Sequence, residues 1–282
     1  MPTVSIDGGT MWYADQGDGT PIVCLHGGWV NSDCWRPQVE HFSEDYRIVT
    51  PDLRGHGRTG ETDVDTYSID LYVEDLERLL DHLDVEKPIL VGVSLGGVII
   101  QSVLDRTPER LEAAVIAGPL QSMPPVDLPL AMKPFLSPLP AITGMVETMG
   151  PRATFLSLLT SIKAITGKPW LTVDEAVRSD AMDALDDVTP TAYREIFRAL
   201  YEFVPPDLSG VRTPTLLVYG DHEASSVKRQ AKRLANALER STITEIPEAG
   251  HLVNLDQPAA FNDECAEFFA ALSLPTETNA AD

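Results

Sequence analysis

Residues 88–97 read Pro-Ile-Leu-Val-Gly-Val-Ser-Leu-Gly-Gly, and they leave the chain few ways to fold. The apolar run at 89–91 predicts a short buried strand, and 98–104 predicts a helix. Between them Gly92-Val93-Ser94-Leu95-Gly96 must turn strand into helix within a few residues. A turn that tight leaves no room for Cβ at its flanks, and the flanks are glycine. Strand, G-x-S-x-G, then helix is the context that holds a serine on a sharp bend with its hydroxyl presented. Alone the five-residue match is weak, since Gly and Ser are common in turns. The rest of the chain tests it.

Taken in order, runs at 4–6 and 11–14 flank Asp7-Gly8-Gly9 and predict a hairpin. A buried-type strand at 21–25 ends in His26-Gly27-Gly28-Trp29, and a helix at 35–42 and a strand at 47–50 follow. Asp52 to Thr59 is a glycine-punctuated loop. Ser68 suits the N-cap of a helix running to Leu83, whose apolar residues keep the 3.6-residue period. After the Ser94 unit comes a strand at 113–117. Such alternation predicts an α/β fold: a mostly parallel sheet, helices on both faces, right-handed crossovers.

At Pro119 the rhythm stops. Prolines at 119, 124, 125, 129, 134, 138 and 140 break a stretch rich in Leu, Met and Phe. Helical patterns follow near 153–165, 173–185 and 192–203, and no strand signal returns before 215–219. This predicts a core made of 1–118 and 210–282, with 119–209 inserted as a helical cap over the sheet's C-terminal edge. Extra core helices are the plainer alternative. A helix at 226–238 and a strand at 243–246 complete the core. Asp256 is the expected cap of a last helix with Pro258 in its first turn and Phe261, Cys265, Phe268 and Leu272 as its buried stripe. Residues 273–282 are expected to be a disordered tail.

A serine hydroxyl attacks only when a base takes its proton, and the base is a histidine oriented by a carboxylate. In an open α/β sheet such groups meet beyond the C-terminal ends of the strands. Ser94 follows one strand, Asp221 and Glu223 follow a later one, and His251 follows the last. Serine, acid, histidine is the chain order this arrangement requires.

Five segments now stand in sequence: H-G-G-W at 26–29, D-L-R-G-H-G-R-T at 52–59, G-V-S-L-G at 92–96, Y-G-D-H-E at 219–223 and A-G-H-L at 249–252. Over about residues 10–272 the chain resembles the α/β-hydrolases of the capped, esterase and lipase-like type. The resemblance implies the α/β-hydrolase fold, no cofactor and no metal, and a catalytic triad of Ser94, His251 and an acid. It implies an oxyanion hole from the backbone amides of Leu95 and Gly28, with Trp29 as alternate to Gly28. Where many relatives read Gly-x-x-Asp this chain has Glu223, 28 residues before His251, and Asp221 is the alternative acid. Trp29 is expected near the mouth of the substrate pocket. His26 reads as a fixer of its loop, Arg54 and His56 as structural, and His41, His82 and His222 as surface or helix residues. A serine nucleophile argues against the aspartate-dependent dehalogenase and epoxide hydrolase branches. The expected activity is hydrolysis of carboxylic esters or lactones of small to medium hydrophobic substrates through an acyl-enzyme. A triad-bearing ligand-binding or receptor-like protein is the first alternative; a lyase, perhydrolase or carbon–carbon hydrolase is the second.

Composition narrows the partners. The 282 residues hold 43 Asp and Glu against 21 Lys and Arg, a net charge of −22. Nucleic acid and anionic membrane surfaces both require a basic face, so neither is an expected partner. Lysine occurs only at 87, 133, 163, 168, 228 and 232. That surface suits a salt-rich environment or simple solubility. No run approaches the roughly 18 to 20 apolar residues of a membrane span, and the first residues lack a signal-peptide pattern. A cytoplasmic monomer or homodimer is the expectation, with Cys24, Cys34 and Cys265 as buried free thiols.

Overall fold

The computed structural model describes residues 2–122 and 137–272. The hairpin expected around Asp7 forms: β1 (Thr3–Ile6) pairs antiparallel with β2 (Gly9–Gln16). β2 pairs antiparallel with β4 (Tyr46–Pro51), and every later pairing is parallel: β4 with β3 (Thr20–Leu25), then β5 (Ile89–Val93), β6 (Ala113–Ala117), β7 (Thr215–Gly220) and β8 (Ser241–Ile246). The eight strands make one sheet, ordered β1-β2-β4-β3-β5-β6-β7-β8. Every residue of β5, β6 and β7 is buried. That is why these strands read as continuous apolar runs and not as alternating ones: a parallel strand is covered on both faces.

α1 (Arg36–Phe42) and α9 (Pro258–Leu272) share one face of the sheet, where Phe42, Phe261 and Phe269 close over Ile22, Cys24 and Ile48. α2 (Ile69–His82) packs on α3 (Leu95–Arg106), and α3 packs on β5 and β6. Ser68 caps α2 as its sequence suggests, its hydroxyl accepting from the Leu71 amide. α7 (Ser225–Ala237) covers β7 and β8.

One expectation at the C-terminal helix needs correcting. Asp256 ends a separate short helix, α8 (Val253–Asp256), and does not cap α9. Its carboxylate instead accepts from the amides of Val173 and Gly250, two segments distant in the chain. The buried stripe of α9 is Phe261, Cys265 and Phe269, with Phe268 and Leu272 only partly covered. Spacing of three and four fits both sets, and the tilt of the helix on the sheet selects one.

Between β6 and β7 lie α4 (Leu139–Thr166), α5 (Glu175–Asp183) and α6 (Pro190–Glu202). The sequence pattern marked only the second half of α4. Its first half is joined across a break at Gly150, which leaves helical geometry just before Pro151. The other prolines counted between 123 and 136, and the expected tail at 273–282, lie outside the described residues. The three cysteines are buried free thiols. Among the described residues no helix is long and apolar enough to cross a membrane.

Candidate active site

The turn after β5 has the geometry its glycines foretell. Ser94 sits at φ 55°, ψ −109°, a region that side-chain-bearing residues avoid. A Cβ on Gly96 would lie 2.1 Å from the Leu25 carbonyl oxygen, so β3 can approach only a glycine. Hydrogen bonds from Ser94 N to Ala117 O (3.0 Å) and from Gly96 N to His26 O (3.1 Å) hold the strained residue between β3 and β6. Ser94 is 8% exposed, so bulk water barely reaches it.

His251 follows β8 and meets the end of β6. A Cβ on Gly118 would lie 2.8 Å from the imidazole Cε1, and Gly118 has φ +54°, so glycine leaves the ring its space. His251 Nδ1 lies 2.5 Å from Glu223 Oε2, with both side chains buried. The other Glu223 oxygen accepts from Ala224 N (2.8 Å) and from Trp170 Nε1 (2.5 Å). Asp221 is turned elsewhere: its carboxylate accepts from Ala249 N at 3.2 Å and its carbonyl from Lys228 Nζ. Of the two candidate acids, Glu223 is the one beside the histidine. His251 Nε2 is buried and has no hydrogen-bond partner among the described residues, Ser94 Oγ included. Contacts of this kind are often long before a substrate enters and tighten when it does.

The loop after β3 is held by two histidines. His26 Nδ1 is 2.7 Å from Gly27 O, and its Nε2 accepts from Leu53 N. His56 Nδ1 is 2.9 Å from Arg54 O, and its Nε2 accepts from Trp29 N at 3.0 Å. The Trp29 amide is thereby engaged, whereas the amides of Gly28 and Leu95 have no such side-chain partner among the described residues. Of the two amides the sequence offered, Trp29 is the one that donates to a side chain. Arg54 is fully buried and grips Asp75 with two bonds of 2.9 and 2.7 Å, which anchors the 52–59 loop to α2.

Burial lowers the pKa of His26 and takes that of His56 down to about 3, so both fold as neutral rings. Unfolded, each would titrate near 6.5. Below that pH the unfolded chain binds more protons than the native one, so these two groups withdraw stability as pH falls. Each contributes up to about 1.4 kcal/mol per pH unit between about 6.5 and its folded value. Urea unfolding at pH 7.5 and 5.5 should therefore show a lower midpoint at 5.5. An unchanged midpoint would contradict neutral burial.

Above the Gly28 loop lies an aromatic cluster. The Trp29 indole stacks on Tyr193 (5.0 Å between centroids) and lies 5.3 Å from Phe155 and 6.2 Å from Phe197. α6 supplies Tyr193 and Phe197, and its Ile196 and Leu200 come over Gly28. The sequence marks 192–203 as helical, though nothing local says what that helix covers. Trp170 was not legible at all. A cleft of about 650 Å³ opens elsewhere, between Asn31, Cys34 and the α5 residues Asp180 and Asp183, and contains neither Ser94 nor His251. The chemistry marks the site; the size of a cleft does not. Among the described residues no group of three His, Cys, Asp or Glu side chains is disposed to hold a metal ion.

A family model described as alpha/beta hydrolase family matches residues 22–264. The chain is 28% identical over 258 residues to carboxylesterase YbfK of Bacillus subtilis (strain 168), covering 89% of this chain and 80% of that one. It is 26% identical to 3-oxoadipate enol-lactonase 2 of Acinetobacter baylyi, covering 88% and 87%. Among solved structures, a thermophilic esterase from Thermogutta terrifontis superposes with a TM-score of 0.82 at 21% identity, covering 97% of this chain and 99% of that one.

Proposed function

The chain belongs to the alpha/beta hydrolase family, and from that premise we propose that it is a serine hydrolase of carboxylic esters, lactones included. The observation that carries the reading is the 2.5 Å contact between His251 Nδ1 and Glu223, with Nε2 left over, at the end of the sheet that presents strained Ser94. In this mechanism Ser94 Oγ attacks the substrate carbonyl as His251 Nε2 takes its proton, and Glu223 steadies the resulting imidazolium. The amides of Gly28 and Leu95 receive the developing oxyanion, each such donor typically worth about 10²–10³ in rate. His251 then protonates the leaving alcohol. Afterwards it takes a proton from water as the water oxygen attacks the acyl carbon, and it returns that proton to Ser94 Oγ as the acyl–oxygen bond breaks and the carboxylic acid leaves.

We read the helices between β6 and β7 as a cap over a small to medium hydrophobic pocket. The cluster of Trp29, Phe155, Tyr193 and Phe197 beside Gly28 supports that size and character. Trp29 Nε1 and the Tyr193 hydroxyl are buried there without partners among the described residues, which favours substrates with a second acceptor oxygen. The carboxylesterase and enol-lactonase relatives support the same bond class.

A fluorophosphonate probe followed by peptide mapping tests the reading. Stoichiometric labelling of Ser94, with a burst of p-nitrophenol from p-nitrophenyl acetate, is the expected outcome. A protein that binds esters but shows neither label nor burst would be the receptor-like alternative.

A further inference from the structure

Between α4 and α5 the chain comes down onto the loop that carries His251. Trp170 O accepts from His251 N at 2.7 Å, and Leu171 O accepts from Leu252 N at 2.9 Å. The Asp256 carboxylate ties the same two segments together, accepting from Val173 N at 2.9 Å and Gly250 N at 2.7 Å. The Trp170 side chain reaches further. Its indole lies over the His251 imidazole, 4.4 Å between centroids and 27° between planes. Its Nε1 donates to Glu223 Oε1 at 2.5 Å. One side chain from the insertion thus touches both the base and the acid of the proposed triad.

We propose that Trp170 is a positioning residue of the triad, so that the catalytic machinery is built from the insertion as well as from the core. The inference rests on the esterase reading with Ser94, His251 and Glu223 in their proposed roles. Glu223 divides its oxygens: Oε2 goes to His251, and Oε1 goes to Trp170 and the Ala224 amide. Losing the indole N–H leaves Oε1 on one backbone donor, and the carboxylate is then free to rotate away from Nδ1. The stacked ring fixes the plane of the imidazole, which sets the direction of Nε2. An aromatic face also attracts a cation, so the stack favours the imidazolium that forms as Ser94 gives up its proton.

The test measures kcat and KM for p-nitrophenyl acetate in the wild type, Trp170→Phe and Trp170→Leu, each with and without Glu223→Ala. Trp170→Phe keeps a ring over His251 and loses the hydrogen bond. It should lower kcat about tenfold, the usual scale for one bond to a charged group. Trp170→Leu loses the stack as well and should lower kcat about a hundredfold, again with KM little changed. In the Glu223→Ala background the Trp170→Phe step should cost less than about twofold, because its partner is gone. An undiminished kcat in Trp170→Phe would overturn the proposal, as would equal losses in both backgrounds. Ser94→Ala run alongside separates the failures: if it too retains full turnover, the esterase reading itself falls; if it is inactive, only the role of Trp170 falls.

Discussion

Ser94→Ala should lower kcat on an activated ester by about 10⁵- to 10⁶-fold, the scale seen when a triad serine is removed elsewhere. The alanine deletes the atom that bonds to the acyl carbon, so reaction falls back on water attacking within the site. What survives is the contribution of the oxyanion amides and of binding, about 10³–10⁴ over the uncatalysed rate. Neither amide depends on the serine side chain, and the Ser94 bond to Ala117 is main-chain. His251→Ala should cost a similar factor, and the double variant little more than either alone, because base and nucleophile act as one unit. Stopped-flow and steady-state release of p-nitrophenol checks this. Equal turnover by wild type and Ser94→Ala would end the acyl-enzyme mechanism.

Glu223→Gln should lower kcat by about 10³–10⁴, while Asp221→Asn should leave it within about threefold. The difference follows from what each carboxylate touches. A glutamine in place of Glu223 can turn its NH₂ toward the ring at the 2.5 Å contact, which selects the tautomer with the proton on Nε2, the wrong nitrogen for a base. It also removes the charge that balances the imidazolium. Asp221 serves the turn: it accepts from Ala249 N, and an asparagine keeps that acceptor oxygen. Assayed side by side at one pH, a larger loss in Asp221→Asn would reverse the assignment of the acid.

Much of this molecule was readable before any coordinates, for specific reasons. Ser68, the run at 113–117 and the G-V-S-L-G turn each follow from backbone sterics or local hydrogen bonding, and each reappears at its residues. The line-up of Ser94, the 221–223 turn and His251 follows from one topological fact, that parallel strands end on the same edge. Which of Glu223 and Asp221 lies beside the histidine depends on tertiary partners: Glu223 Oε2 meets His251 Nδ1, and the Asp221 carboxylate accepts from Ala249 N. That the Trp29 amide is engaged, which underlies the proposal of Gly28, depends on His56, 27 residues away from Trp29 in the chain. Asp256 and Trp170 mislead or stay silent in sequence because their partners are tertiary. A capping residue and an acceptor for a distant loop look alike from the chain, and a tryptophan after proline carries no sign of a histidine 81 positions on.

The two carbonyls at Trp170 and Leu171 that receive the amides of His251 and Leu252 bear on recombination between relatives. Crossovers at the ends of β6 and β7 look like neutral seams, since the exchanged helices begin and end outside the sheet. If Trp170 positions the triad as proposed, they are not neutral in this protein. A chimera whose imported segment has no tryptophan at this place should lose the indole against His251, and one with a different backbone path there the two acceptors as well, even when every motif of the recipient core is intact. Functional chimeras should therefore be those whose donor retains, or is given, the stretch from Trp170 to Asp174, and selection for a new substrate should leave that stretch nearly untouched while the faces of α4 and α6 vary.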